Sequence, residues 1–150
     1  MKKVEPIKIV VIVMVLVTAA VAILHLTTRT AVPEGTLRIE AGSQVVELPL
    51  EQLELVHVQG TVRNGKGEER AVDAQGVLLS DVLERAGITE FSEVLITADD
   101  EYSAIVTAQE IAAPDKVWLI RQEEGGTQLI VFGDENSKRK VSHVARLTVQ

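Results

Sequence analysis

Apolar residues form one unbroken block near the start of the chain, and beyond it the pattern changes to a short-period alternation that lasts to Gln150. Ile9 to Leu24 carries no charge, and the apolar run continues through His25 to Leu26. At 1.5 Å per residue, the eighteen residues of 9–26 span about 27 Å as a helix, close to the hydrocarbon thickness of a bilayer. A helix satisfies its own backbone groups in lipid, so the block predicts a membrane-inserted helix. Lys2, Lys3 and Lys8 precede it, and only Arg29 follows closely. That asymmetry predicts a cytoplasmic N-terminus over 1–8 and a transmembrane signal-anchor helix over 9–26. The C-terminal body is then extracytoplasmic, on a single pass through the cell membrane. A cleaved signal peptide is the competing reading. Its apolar region ordinarily covers about 7–15 residues before a small-x-small site, whereas cleavage after Ala31 would place Arg29 at the minus-three position. Lipoprotein processing is excluded because the chain has no cysteine.

Residues 27–35, polar and holding Pro33 and Gly35, read as a linker. After them, alternation predicts strands at 37–40, 44–48, 56–62, 69–73, 93–97, 102–106, 117–120, 129–132 and 144–149. Gly42-Ser43, Asn64-Gly65-Lys66-Gly67 and Gly125-Gly126 supply turns between them. Three short helical pieces interrupt the series. Pro49 can start a turn over Leu50–Leu53. Ser80 is placed to cap a helix that Gly87 ends, and Thr107 with Glu110 has capping-box spacing for another through Ile111. The pattern predicts an α+β, mostly β domain over 36–150 with short helices, preceded by one transmembrane helix.

Charge and composition narrow the function classes. The chain is at −7. Without its first thirty residues (Lys2, Lys3, Lys8, Arg29 and Glu5) the body keeps 11 basic and 21 acidic residues, a net of −10. Such a body repels polyanions, which excludes nucleic acid as an expected partner. With no cysteine there is no disulfide, no thiolate nucleophile and no thiolate metal ligand. Aromatic residues make up only 3%, too few for a base-stacking platform or an aromatic sugar cleft.

Four pieces follow one another in a telling order. They are Gly76-Val77-Leu78-Leu79-Ser80-Asp81-Val82-Leu83-Glu84-Arg85-Ala86-Gly87-Ile88, then Ala98-Asp99-Asp100-Glu101-Tyr102-Ser103-Ala104, then Gly125-Gly126-Thr127-Gln128-Leu129-Ile130-Val131, and finally Ser137 to Val149 with its Lys138-Arg139-Lys140 run. The series resembles the oxidoreductase molybdopterin-binding domain of the sulfite oxidase family, especially its small single-domain members, over roughly 36–150. The resemblance implies a sulfite-oxidase-like fold. It also implies that the 137–143 segment lies by a pterin phosphate. Family enzymes hold molybdenum through a cysteine upstream of the first piece, and here Val56 to Ala74 contains none. Leu78 and Thr127 stand where the family has proline, and Glu101 where glycine precedes the tyrosine. Without the soft thiolate the metal has no protein bond, so the resemblance implies the fold and argues against the enzyme.

Ser137, Lys138, Arg139, Lys140 and His143 are the candidate anion or cofactor-binding residues, because clustered cations and hydroxyls suit a phosphate. Read plainly, the same run is a solvated turn guarding the last strand. Asp99, Asp100 and Glu101, joined by Asp134 and Glu135, offer hard oxygen ligands but no EF-hand spacing. His57 and His143 are lone histidines far apart in sequence and argue weakly for a metal. Ser80 and Ser103 lie in no nucleophile motif. Tyr102 and Trp118 are expected in the core. The expectation is a membrane-anchored, non-catalytic binding or interaction module, with no catalytic residue, no metal and no cofactor. Its partner is a small anionic ligand or an envelope protein, besides the membrane itself through 9–26. The alternative is a pterin-cofactor-binding oxidoreductase or redox accessory that holds molybdopterin without thiolate ligation.

Overall fold

The alternating stretches of the body pair into two sheets in the computed structural model, which describes residues 6–28, 35–134 and 139–150, with side chains at 7–20, 35–134 and 139–150. The first sheet holds β1 (Thr36–Ala41), β2 (Gln44–Pro49), β5 (Glu93–Ala98), β6 (Ser103–Thr107) and β9 (Val144–Val149). Its order is β2-β1-β9-β5-β6, antiparallel except where β1 lies parallel to β9. The second holds β3 (Val56–Arg63), β4 (Glu69–Leu78), β7 (Val117–Arg121) and β8 (Thr127–Val131), in the order β3-β4-β7-β8, all antiparallel. Helix α2 (Leu79–Arg85) and α3 (Ala108–Ala112) complete the body, with a 3-10 turn at Leu50–Gln52.

Period-two alternation places one apolar face of each sheet inward. Leu37, Ile39, Val94, Ile96 and Leu147 from the first sheet join Val77, Leu119, Leu129 and Val131 from the second, with Leu79, Val82 and Leu83 of α2, in one core. Most of these side chains are fully buried, each contributing about 1.5–3 kcal/mol by leaving water. A smaller second core lies on the other face of the second sheet: Val58, Val72, Trp118, Ile120 and Ile130. The second sheet curls around it. The Phe132 ring, just past β8, lies against Gly60 on β3, where any Cβ would overlap it. Glycine there lets two strands that are not neighbours close on each other.

Local signals are realised with one change. Thr107 and Glu110 form a full capping box at the start of α3. Gly87 takes a left-handed φ of 77° just after α2. Asn64 organises the β3–β4 turn, its side-chain oxygen accepting from Lys66 N–H (2.9 Å) and Glu68 N–H (3.0 Å). Ser80, however, does not cap α2. The helix starts at Leu79, with Leu78 extended in the cap position and no side-chain bond. β4 runs straight into α2 so that Leu79 can be fully buried, which moves the start ahead of the serine.

The N-terminal region corrects a larger expectation. Helix α1 (Pro6–Thr28) covers the apolar block. Yet among the described residues no helix is long and apolar enough to cross a membrane. The expected transmembrane helix over 9–26 is therefore corrected, and the single-pass placement of the body, which depended on it, falls with it. The fold class becomes mixed α and β, mostly strand, with short helices in the body. The chain comprises two compact units, Met1–Ala31 and Val32–Gln150.

Candidate binding groove

Gly76 creates the site. A Cβ at this position would lie 2.8 Å from Leu119 O, so only glycine lets β4 close onto β7. The two strands pair over Gly76↔Ile120, Val77↔Leu119 and Leu78↔Trp118 and no further. N-terminal to Gly76, β4 continues with β3 alone, while β7 turns back into β8 through residues 122–126. The two hairpins part and leave a groove of about 680 Å³, a size typical of ligand sites. Val72, Ala74, Ile120 and Ile130 supply its apolar lining, continuous with the second core.

Charge gathers here. Arg63, Arg70, Arg121, Arg139 and Lys140 line the groove, with Asp73, Glu123, Glu124 and Asp134. Those are 5 of the body's 11 bases and 4 of its 21 acids, a local +1 that leaves −11 on the rest. Among the described residues Arg63, Arg70, Arg121 and Lys140 are in no ion pair. A hydrogen bond from exposed His57 holds the Asp73 carboxyl below its usual range. A cleft with low-dielectric walls concentrates such charge.

The candidate segment 137–143 does not form one cluster. Ser137 and Lys138 lie outside the described residues. Arg139 turns to the protein itself, donating to Glu110 at 2.8 and 2.9 Å, to Asp134 at 2.8 Å, and to Ile105 O at 3.4 Å. Glu110 also accepts from Thr107 N–H at 3.0 Å. The bonds from Arg139, with those from Thr107, lower the Glu110 pKa to about 2, and both carboxylates raise that of Arg139. The clamp covers the outer edge of β6, whose Ile105 O and Thr107 N–H it satisfies. Lys140 reaches the groove rim. Val141 is fully buried in the main core, and its carbonyl accepts from Leu129 N–H at 2.8 Å. His143 sits elsewhere, with a left-handed φ of 53°. Its N–H donates to Gln122 Oε1 and its carbonyl accepts from Asp99 N–H, both at 3.0 Å. Sequence neighbours are thus divided among a clamp, a rim, a core plug and a loop knot.

The other candidates also find ordinary partners. Asp100 accepts from Tyr102 N–H (3.0 Å), and Glu101 meets Arg146 at 3.4 Å. Asp134 belongs to the Arg139 clamp, and Glu135 lies outside the described residues. Among the described residues no group of three or more His, Asp or Glu is arranged to hold a metal. Ser103 opens the exposed β6 edge. Tyr102 is 46% exposed rather than in the core, because it follows the β5–β6 turn where the chain lies at the surface. Trp118 is buried in the second core, its indole N–H donating to Asp115 O at 3.0 Å. The chain matches no family model and no curated protein. The likeness to the molybdopterin-binding domain therefore rests on the four sequence pieces. The residues do not fit that cofactor: there is no thiolate for the metal, and the Arg139 donors are engaged within the fold. Sequence reasoning missed Arg63, Arg70 and Arg121, which are distant in the chain. The one available signal was two arginines flanking the Asn64-Gly65 turn in an acidic body.

Proposed function

We propose that residues 36–150 are a non-catalytic binding module whose ligand is an anion held in the groove between the two hairpins. The observation that carries this reading is that Arg63, Arg70 and Arg121, in no ion pair among the described residues, line a groove with Val72, Ile120 and Ile130, in a body otherwise strongly negative. Guanidinium groups bind carboxylate or phosphate in a bidentate manner, and an apolar wall strengthens that attraction. The described lining contains no serine, threonine, histidine or cysteine, so it offers no hydroxyl, thiol or imidazole for acyl or phosphoryl transfer. This favours retention of a ligand over its conversion.

Thermal unfolding of the full chain against a panel of carboxylates, phosphates and acidic peptides tests the reading. A ligand at about one hundred times its Kd adds about 2.7 kcal/mol, which for a domain of this size raises Tm on the order of 10 °C. Arg70→Glu with Arg121→Glu is expected to abolish the rise. An equal rise in that variant would place the ligand elsewhere. Stoichiometric pterin or molybdenum on the purified chain would instead favour the redox alternative and overturn the non-catalytic reading.

A further inference from the structure

We infer that the occupant of the groove is an extended acidic segment of a partner protein, added as a strand to the open edge of β4. The inference rests on the groove reading above and names the class of ligand it takes.

Main-chain geometry comes first. Asn64 N–H bonds Glu68 O at 2.9 Å, and the β3–β4 register continues as Val62↔Arg70, Gly60↔Val72 and Val58↔Ala74. Bonded and non-bonded pairs alternate in an antiparallel ladder. Counting from Asn64–Glu68, Arg70, Val72 and Ala74 turn their main-chain groups toward β3. Ala71, Asp73 and Gln75 turn theirs away. On that side β7 pairs from Gly76 onward, and in that register the last bond runs from Arg121 N–H to Gln75 O, so Ala71 and Asp73 have no paired strand beside their outward main-chain groups. The same count from the Gln122–Gly126 bond turns the main chain of Arg121 toward β4, where it closes the last pair before the two strands part.

The lining agrees. Side chains alternate across a strand, so a groove lying over one face of β4 would touch every second residue. This one touches 70, 71, 72, 73 and 74 in succession, so it runs along the strand's edge. An open edge is a template for pairing, and proteins normally cover it. Here the β6 edge is covered by Arg139 and Glu110, whereas β4 stays open beside Arg63, Arg70 and Arg121. The open stretch of 69–74 is about 17 Å long, room for roughly five residues of added strand. A small anion would leave that row of donors and acceptors unused. A strand alternating acidic and apolar side chains lays its apolar row on the face of Val72, Ile120 and Ile130, which Arg70 borders, and its acidic row on the opposite face, which carries Arg63 and Arg121.

Fluorescence anisotropy of the full chain with a labelled decapeptide alternating Glu and Val tests this. Two N-methylated versions, one blocked at the Val amides and one at the Glu amides, report which peptide edge is used. The expected result is binding of the parent peptide, loss with one methylated version, and retention with the other. Arg121→Glu is expected to weaken the parent about tenfold or more. Ala71→Pro removes a single outward N–H and leaves the β3 ladder intact, and it is expected to weaken binding with the Trp118 fluorescence unchanged. Equal binding of both methylated peptides overturns strand addition and leaves the groove reading standing. So does a Tm rise with inorganic phosphate when the peptide does not bind. Parent binding that ignores Arg121→Glu removes the acidic specificity. Self-association of the chain that Ala71→Pro abolishes makes a second copy the occupant and overturns the inference. Silence of every anion and peptide sinks the groove reading as well.

Discussion

Replacing Glu110 by Gln probes the clamp that seals the β6 edge and fixes Arg139 away from ligand. The two Arg139 bonds, helped by Thr107, hold the Glu110 pKa at about 2 against an ordinary 4.5. A depressed carboxyl pKa gives stability that is fully present above the unfolded value and is lost as pH falls through the folded one. The fall from 4.5 to about 2 corresponds to about 3.4 kcal/mol at 1.36 kcal/mol per pH unit. The Glu110 and Arg139 side chains are 21% and 22% exposed, and water screens part of the interaction. About half that figure, 1.5–2 kcal/mol, is therefore expected at pH 7. At pH 3 Glu110 is protonated in the unfolded chain and still ionised in the folded one. About three-fifths of the advantage is then gone, leaving about 0.7 kcal/mol. Urea unfolding followed through Trp118, the only tryptophan, measures both. Glu110→Gln should trail the wild type by 1.5–2 kcal/mol at pH 7 (about, on the screened figure) and by under half of that at pH 3. A gap of the same size at both pH values would falsify the clamp as an ionic device.

Three other substitutions follow from packing. Thr127 is 3% exposed and its Oγ1 has no hydrogen-bond partner, so Thr127→Val should stabilise by about 1 kcal/mol in urea unfolding; a clear loss would mean that the hydroxyl is satisfied. Gly60→Ala drives a methyl into the Phe132 ring and should cost about 1–3 kcal/mol. Adding Phe132→Leu should recover part of it, and simple additivity of the two would argue against the contact. Leu119→Ala empties a fully buried position of the main core and should cost about 2–5 kcal/mol, a figure that calorimetry would contradict if Tm hardly moved.

Legibility followed distance along the chain. The Thr107–Glu110 box, the Gly87 stop and the Asn64 turn are decided within a few residues, and each is where its local pattern puts it. Ser80 carries the right chemistry for a cap, yet burial of Leu79 overrides it. The apolar block from Ile9 predicts a helix, and a helix lies there. Among the described residues, however, no helix is long and apolar enough to cross a membrane. The run Lys138-Arg139-Lys140 reads as one cationic patch because sequence shows neighbours only. Glu110, 29 positions away from Arg139, is invisible to that reading.

Composition and periodicity by themselves determined that the body is acidic, thiol-free and built of short strands, since charge is a sum and alternation has a two-residue period. Only the tertiary structure decided where the cations go. The groove exists because a glycine at 76 lets two hairpins join for three residues and then part. That event depends on atoms some forty positions apart meeting within van der Waals distance, and no local pattern encodes it.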